Sequence, residues 1–172
     1  MAEPRDTRVL VAGAGTMGRQ IAATFVRNGA GEVRVIEPDD ERAADARAWI
    51  DGFLGDDALA SRVRIVPEAG EPDPGVDLAL EAVPEVLDIK REVISSLLRA
   101  APSATVASNS SSMPVARFGD PQQLDRLVNL HFYVRPWERR VVELMTSGET
   151  EAGRMDDLRL LMTSLGFEVF LL

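Results

Sequence analysis

The sequence holds a single histidine, and His131 stands twelve residues before Glu143 in a segment that can fold back on itself. If Pro136, Trp137 and Glu138 form the centre of a reversal, the symmetric antiparallel register pairs His131 with Glu143, each six residues from Trp137. Directly opposed side chains on one face of such a pair are close enough to hydrogen-bond. A carboxylate on one imidazole nitrogen fixes the tautomer and stabilises the imidazolium, which leaves the other nitrogen to take or give a proton near neutral pH. That is the wiring of a general base. A second polar group comes from Ser108-Asn109-Ser110-Ser111-Ser112, a run that directly follows an apolar strand. From it Ser111 could hydrogen-bond a substrate oxygen and share its developing charge. Competing readings are a histidine satisfied within a core and a plain solvated serine loop.

What such a base would serve is suggested near the start of the chain. Val9-Leu10-Val11-Ala12 is an apolar run that stops on Gly13-Ala14-Gly15-Thr16-Met17-Gly18 and passes straight into a helical pattern. A G-x-G-x-x-G string is weak evidence unless strand, helix and a following acid surround it. Here Ile21, Ala22, Phe25 and Val26 keep three- and four-residue spacing up to Asn28-Gly29, Val33 and Val35 form the next strand, and Glu37 lies 19 residues beyond Gly18. Gly13 allows the tight turn, Gly15 lets a pyrophosphate approach the backbone, and Gly18 lets the helix pack closely while its free amides face the phosphates. Glu37 would accept hydrogen bonds from the adenosine ribose. A 2′-phosphate would meet Glu37, Asp39 and Asp40, so NAD is expected rather than NADP, with Arg42 as a group that could compensate. Hydride transfer from a secondary alcohol to NAD needs a base for the hydroxyl proton.

The elements that must position these groups follow from the apolar periodicity. Ala43, Ala46, Trp49, Ile50 and Phe53 mark a helix that stops near Gly55, Arg62 to Val66 reads as a strand, and residues 69–75 as a surface loop. Val76 to Pro84 has the composition of a strand buried on both faces. A helix from about Val86 to Ala100 is expected to turn Ile89, Val93, Leu97 and Leu98 inward. Strands at Thr105–Ala107, Leu127–Phe132 and Val141–Met145 follow, then a helix over Thr150–Leu165 with Met155, Leu158, Leu161, Met162 and Leu165 inward, and a strand at Phe167–Leu172. This alternation predicts an α/β fold, a Rossmann-type doubly wound and mainly parallel sheet of about eight strands, the last ones antiparallel.

Composition narrows the remaining classes. A chain of 172 residues is long enough for one well-buried domain and short for two, so residues 1–172 are expected to be one unit. A net charge of −9 argues against nucleic-acid and anionic-membrane surfaces, which need basic patches. Without cysteine there is no disulfide, thiolate nucleophile or Cys-type zinc site, and no metal is expected. Met1 to Arg8 is polar, with no apolar stretch of signal-peptide length, and a cytoplasmic location is expected. The apolar ending Phe170-Leu171-Leu172 suggests a piece of a longer protein.

Four ordered motifs together resemble the NAD-binding domain of the 3-hydroxyacyl-CoA dehydrogenases. They are the glycine turn, Leu80-Glu81-Ala82-Val83-Pro84-Glu85 with Lys90 five residues on, the serine run, and His131-Phe132 followed by Val141-Val142-Glu143. The resemblance implies oxidation of an L-3-hydroxyacyl thioester to the 3-ketoacyl form, a step of fatty acid metabolism. It implies His131 as base, Glu143 as its orienting partner and Ser111 as the substrate-oxygen contact. Gly13, Gly15, Thr16, Met17, Gly18, Glu37, Ala82 and Val83 are expected along the cofactor, and Glu85, Lys90 and Asn109 near its nicotinamide half. Three features depart from the family pattern: Val134-Arg135 stands where an asparagine and a proline follow the aromatics, the helical excursion after the second strand is shorter, and the all-helical domain that closes the site and forms the homodimer is not present. Two alternatives stay open. One is a dehydrogenase of another 3-hydroxy acid, met by Arg135, Arg139 or Arg140, and the other is a non-catalytic NAD-binding module.

Overall fold

In the first strand Val9 and Val11 point to one side and Leu10 and Ala12 to the other, and all four are buried, so this strand must lie between two layers of helix. A computed structural model describes residues 6–172; residues 1–5 of the polar start lie outside the described part. The chain runs β1 (Arg8–Ala12), α1 (Thr16–Arg27), β2 (Glu32–Ile36), α2 (Asp40–Leu54), α3 (Asp57–Ala60) and β3 (Val63–Val66). It continues through β4 (Leu78–Glu81), α4 (Leu87–Ala100), β5 (Thr105–Ser108) and β6 (Leu127–Phe132) to α5 (Pro136–Arg139), β7 (Val141–Thr146), α6 (Ala152–Ser164) and β8 (Glu168–Leu171). The eight strands form one sheet in the order β3-β2-β1-β4-β5-β6-β7-β8.

All neighbours pair in parallel except β6 and β7, so β7 and β8 run against the other six. This is the expected α/β doubly wound architecture. Ile21 and Phe25 of α1, Ile50 of α2, and Leu158 and Met162 of α6 cover one face with Val9, Val11, Val33 and Val35. Ile94, Leu97 and Leu98 of α4 cover the other with Leu10, Ala79 and Val106. The strand order reverses between β1 and β4, and ligands in such sheets bind at the carboxyl edge of that crevice.

Two local expectations need correction. The inward stripe of α4 is Lys90, Ile94, Leu97 and Leu98, whereas Ile89 is 40% exposed. A lysine occupies the first inward position because two carboxylates await it there, which side-chain hydropathy alone does not anticipate. The one-turn helix α3, capped by the Asp56 side chain on Leu59 N–H, is also absent from the periodicity reading.

The glycine turn shows why its residue types are required. Gly13 has φ +99°, and a Cβ there would lie 2.8 Å from the Ala82 carbonyl oxygen. A Cβ on Gly18 would fall 1.8 Å from the Gly13 carbonyl oxygen, whereas one on Gly15 would meet nothing within 4 Å. Gly18→Ala is therefore expected to cost about 3 kcal/mol, since backbone must move to admit the methyl group. Gly15→Ala should cost about 1 kcal/mol or less. Urea unfolding midpoints of the two variants, compared with the parent, check the contrast.

Candidate active site

The crevice between β1 and β4 is bounded by the start of α1. The first amide bonded within that helix is Arg19 N–H, to Gly15 O. The amides of Thr16, Met17 and Gly18 thus stand at the open helix end, where Gly15 supplies no side-chain cap and the first turn carries no acid. Such an end attracts an anion. Across the turn, Glu37 at the end of β2 is 6% exposed and accepts hydrogen bonds from Ala14 N–H (3.1 Å) and Asp39 N–H (3.1 Å). Arg42 donates Nε and Nη2 to the same carboxylate at 3.2 and 3.1 Å. The charge of Glu37 is thus partly met from within the chain, with Oε2 holding one bond only. The tight turn, the open space above Gly15 and the anchored acid fit a dinucleotide.

On the other side of β4 a buried ion pair organises the polar residues. Lys90 is 1% exposed and Glu81 is fully buried, and Nζ donates to Glu81 Oε1 and Oε2 at 2.7 and 2.9 Å. Ser108 Oγ, the register partner of Glu81 on β5, donates to the same carboxylate. Lys90 Nζ also lies 3.1 Å from Glu85 Oε2, and Glu85 accepts from Ser110 Oγ (2.7 Å) and Ser111 N–H (3.2 Å). Partial burial works against the charged form of Glu85, but Ser110, Lys90 and Ser111 outweigh it and hold its carboxyl below the ordinary range. Lys90 therefore acts beneath the surface, as a holder of carboxylates.

The hairpin of β6 and β7 has the symmetric register, with His131 opposite Glu143. His131 Nδ1 lies 2.9 Å from Glu143 Oε2, and Nε2 has no protein partner among the described residues. Glu143 is shared, since Tyr133 Oη donates to its Oε1 at 2.6 Å. Hydrogen bonds from Tyr133 and His131 hold the Glu143 carboxyl below its ordinary range against a smaller opposing effect of burial. Asn109 Oδ1 accepts from Phe132 N–H at 2.8 Å and ties the serine loop to this strand. Buried Asn129 adds a second tie, accepting from Val115 N–H and donating to Met113 O.

One cavity of about 350 Å³ gathers these groups: Met17, Ala82, Val83, Glu85 and Lys90 on its β4 side, Asn109, Ser111 and His131 on its β6 side. Gly13, Gly15, Thr16, Gly18 and Glu37 are not among its lining residues and belong to the crevice next to it. Two larger hollows exist, one of about 430 Å³ at the opposite sheet edge beside Arg154 and one of about 540 Å³ between Trp49, Phe53 and Trp137. Neither brings His131 together with Met17 of the glycine turn, so convergence of polar groups rather than volume selects the site. Sequence reasoning misses Tyr133, Glu81 and Asn129. Tyr133 carried a usable signal, because it lies two residues after His131 and so shares its face.

The fold and site define a nucleotide-binding α/β domain of the oxidoreductase type. Residues 8–170 match the family described as "3-hydroxyacyl-CoA dehydrogenase, NAD binding domain", and the chain belongs to that family and is an NAD-binding domain. It is 30% identical over 152 residues to the peroxisomal bifunctional enzyme of Cavia porcellus, covering 80% of this chain and 20% of that protein. It is 28% identical over 171 residues to the 5-formyl-3-hydroxy-2-methylpyridine 4-carboxylate 5-dehydrogenase of Mesorhizobium japonicum, covering 92% of this chain and 54% of that one. The crystal structure of a 3-hydroxyacyl-CoA dehydrogenase from Archaeoglobus fulgidus superposes with a TM-score of 0.83 at 27% identity, over 96% of this chain and 56% of that one. The chain spans little more than half the length of these proteins, and much less of the first. Among the described residues no helix is long and apolar enough to cross a membrane.

The depressed carboxyls of Glu85 and Glu143 make a stability prediction. A carboxyl with a folded pKa below its unfolded value, near ~4.3, stabilises the fold above that value, and the contribution is lost as pH falls through the folded pKa. Acidification from pH 6 to below ~4 should therefore lower the urea midpoint, and Glu85→Gln with Glu143→Gln should make that decline shallower.

Proposed function

We propose that this domain serves the NAD-dependent oxidation of an L-3-hydroxyacyl-CoA to its 3-ketoacyl form, with His131 as general base. The observation that carries the reading is the His131–Glu143 pair at 2.9 Å, opening on the same cavity as Ser111 and Val83. When bound, NAD supplies the hydride acceptor. His131 Nε2 takes the proton of the 3-hydroxyl as the C3 hydride leaves, so that the C–O bond becomes a carbonyl. Glu143 keeps the proton on Nδ1 and offsets the imidazolium charge. Ser111, whose hydroxyl has no protein partner among the described residues, donates to the substrate oxygen as its charge changes. Gly13, Gly15, Thr16, Met17, Gly18 and Glu37 would hold the adenosine and pyrophosphate, and Ala82, Val83, Glu85 and Asn109 would hold the nicotinamide half, with Lys90 fixing Glu85 from below. We take residues 1–172 as the cofactor domain of a protein whose helical domain closes the cavity and makes the homodimer.

His131→Asn in the full-length protein should lower kcat by about 10²–10⁴-fold, the worth of a positioned base. NAD affinity by calorimetry should change by less than about twofold. Undiminished turnover would remove His131 from the mechanism, whereas a parent protein that binds NAD without turnover would leave an NAD-binding module.

A second reading, a 3-hydroxy acid with a free carboxylate, is favoured by Arg139, whose charge acts on the nearby Tyr133 hydroxyl at the cavity rim. A relative named for a pyridine carboxylate accords with it. The ratio of kcat/KM on 3-hydroxybutyryl-CoA to that on free 3-hydroxybutyrate separates the two. The first reading expects the thioester to be preferred, with Arg139→Ala changing that rate little. The second expects the acid to be preferred and the variant to lose about tenfold or more, the worth of one charged contact.

A further inference from the structure

The Glu143 carboxylate has two donors of different kinds, one on each oxygen. His131 Nδ1 meets Oε2 at 2.9 Å and Tyr133 Oη meets Oε1 at 2.6 Å, while the His131 and Tyr133 rings lie 4.9 Å apart. The three side chains form a closed triangle in which each fixes the other two. Tyr133 is 36% exposed and Glu143 and His131 are only partly buried, so burial alone does not hold the carboxylate in place.

Resting on the reading of His131 as base, we propose that Tyr133 is a positioning residue that sets the basicity of His131 through Glu143. A phenol that donates to Oε1 draws negative charge toward that oxygen and away from the imidazole. It therefore weakens the preference of His131 for its charged form, and it keeps Oε2 aimed at Nδ1. Other charged groups facing the unit are Arg139 from α5 and Glu85 and Lys90 across the cavity, the last two already paired with each other. On β8 the residue opposite Glu143 is Phe170, which carries no charge. The reverse effect falls on the phenol: the hydrogen bond to Glu143, helped by desolvation and by the carboxylate charge, raises the Tyr133 pKa above its usual value, with Arg139 opposing.

The composition makes the test direct, because the chain has one histidine and one tyrosine. Proton NMR of the imidazole ring reports His131 alone, and phenolate absorbance near ~295 nm reports Tyr133. In the 172-residue chain Tyr133→Phe should raise the His131 midpoint by about 0.5 pH unit, since Glu143 is released to favour the imidazolium. In the full-length protein the acidic limb of kcat/KM should move upward by the same amount. Independently, Glu143→Gln should lower the Tyr133 midpoint toward ~10. A His131 midpoint that stays within about 0.1 unit in Tyr133→Phe, or a Tyr133 midpoint unmoved by Glu143→Gln, overturns the proposal. Both midpoints moving as stated while His131→Asn keeps full turnover would uphold the coupled unit and overturn only the assignment of His131 as base.

Discussion

The site depends on a lysine and a glutamate held together out of water between α4 and the end of β4. Glu81 and Lys90 are both removed from water, and the cost of stripping two ions is met only because every exposed lone pair and proton finds a partner. Ser108 and the Val83 carbonyl complete the set, with Val83 O accepting from Lys90 Nζ at 3.3 Å and Val83 N–H donating to Glu81 Oε2 at 3.1 Å. Removing one member would strand the other charge at about 3–5 kcal/mol, whereas replacing the pair by apolar residues could be neutral for stability. What the pair contributes is uniqueness of arrangement. It joins the ends of β4 and β5 to the first turn of α4, and through Glu85 it reaches Ser110 and Ser111. The serine loop is thereby hung from the end of β4.

The other half of the site is fixed from the opposite face. The turn that carries the chain from β6 to β7 packs Trp137 on Phe53 at 4.6 Å between ring centres, and Phe53 stacks on Trp49 at 5.0 Å. Arg19 and Arg27, both from α1, cover Trp49 and Phe53. Arg135 and Arg140, at the two ends of α5, have φ of +60° and +50°, a conformation that costs a side chain about 1–2 kcal/mol. Arg135 N–H is held by Gln20 Oε1 at 2.9 Å. The reversal is thus clamped onto α1, the helix that opens at the glycine turn, so the imidazole and the glycine turn share one rigid reference.

Much of this is readable from residue types, and the exceptions have a common cause. The glycine turn is legible because steric demand at Gly13 and Gly18 leaves no other residue type workable. The His131–Glu143 pairing is legible because a strand has a period of two, so a symmetric reversal forces the register. The inner face of α4 is not legible: Ile89 and Lys90 are neighbours, and their exchange of roles depends on Glu81, which lies nine residues away on another element. The pairing of Arg42 with Glu37 escapes for the same reason. Each is a polar contact made by tertiary placement, and side-chain periodicity is silent about which polar groups meet.

The one antiparallel pair in the sheet explains why His131 sits where it does. Along a parallel pair the strands reach the ligand edge together, and a crossover of a dozen or more residues separates them. An antiparallel neighbour enters at that edge, so its third residue, Glu143, lies directly opposite the fifth residue of β6, His131. The carboxylate then backs the imidazole within the sheet, and Nε2 is left for the cavity. Tyr133, one residue past the strand on the same face, reaches the far carboxylate oxygen because β6 has just ended. The change of direction between β6 and β7 therefore supplies both the orientation of the imidazole and the means of tuning it.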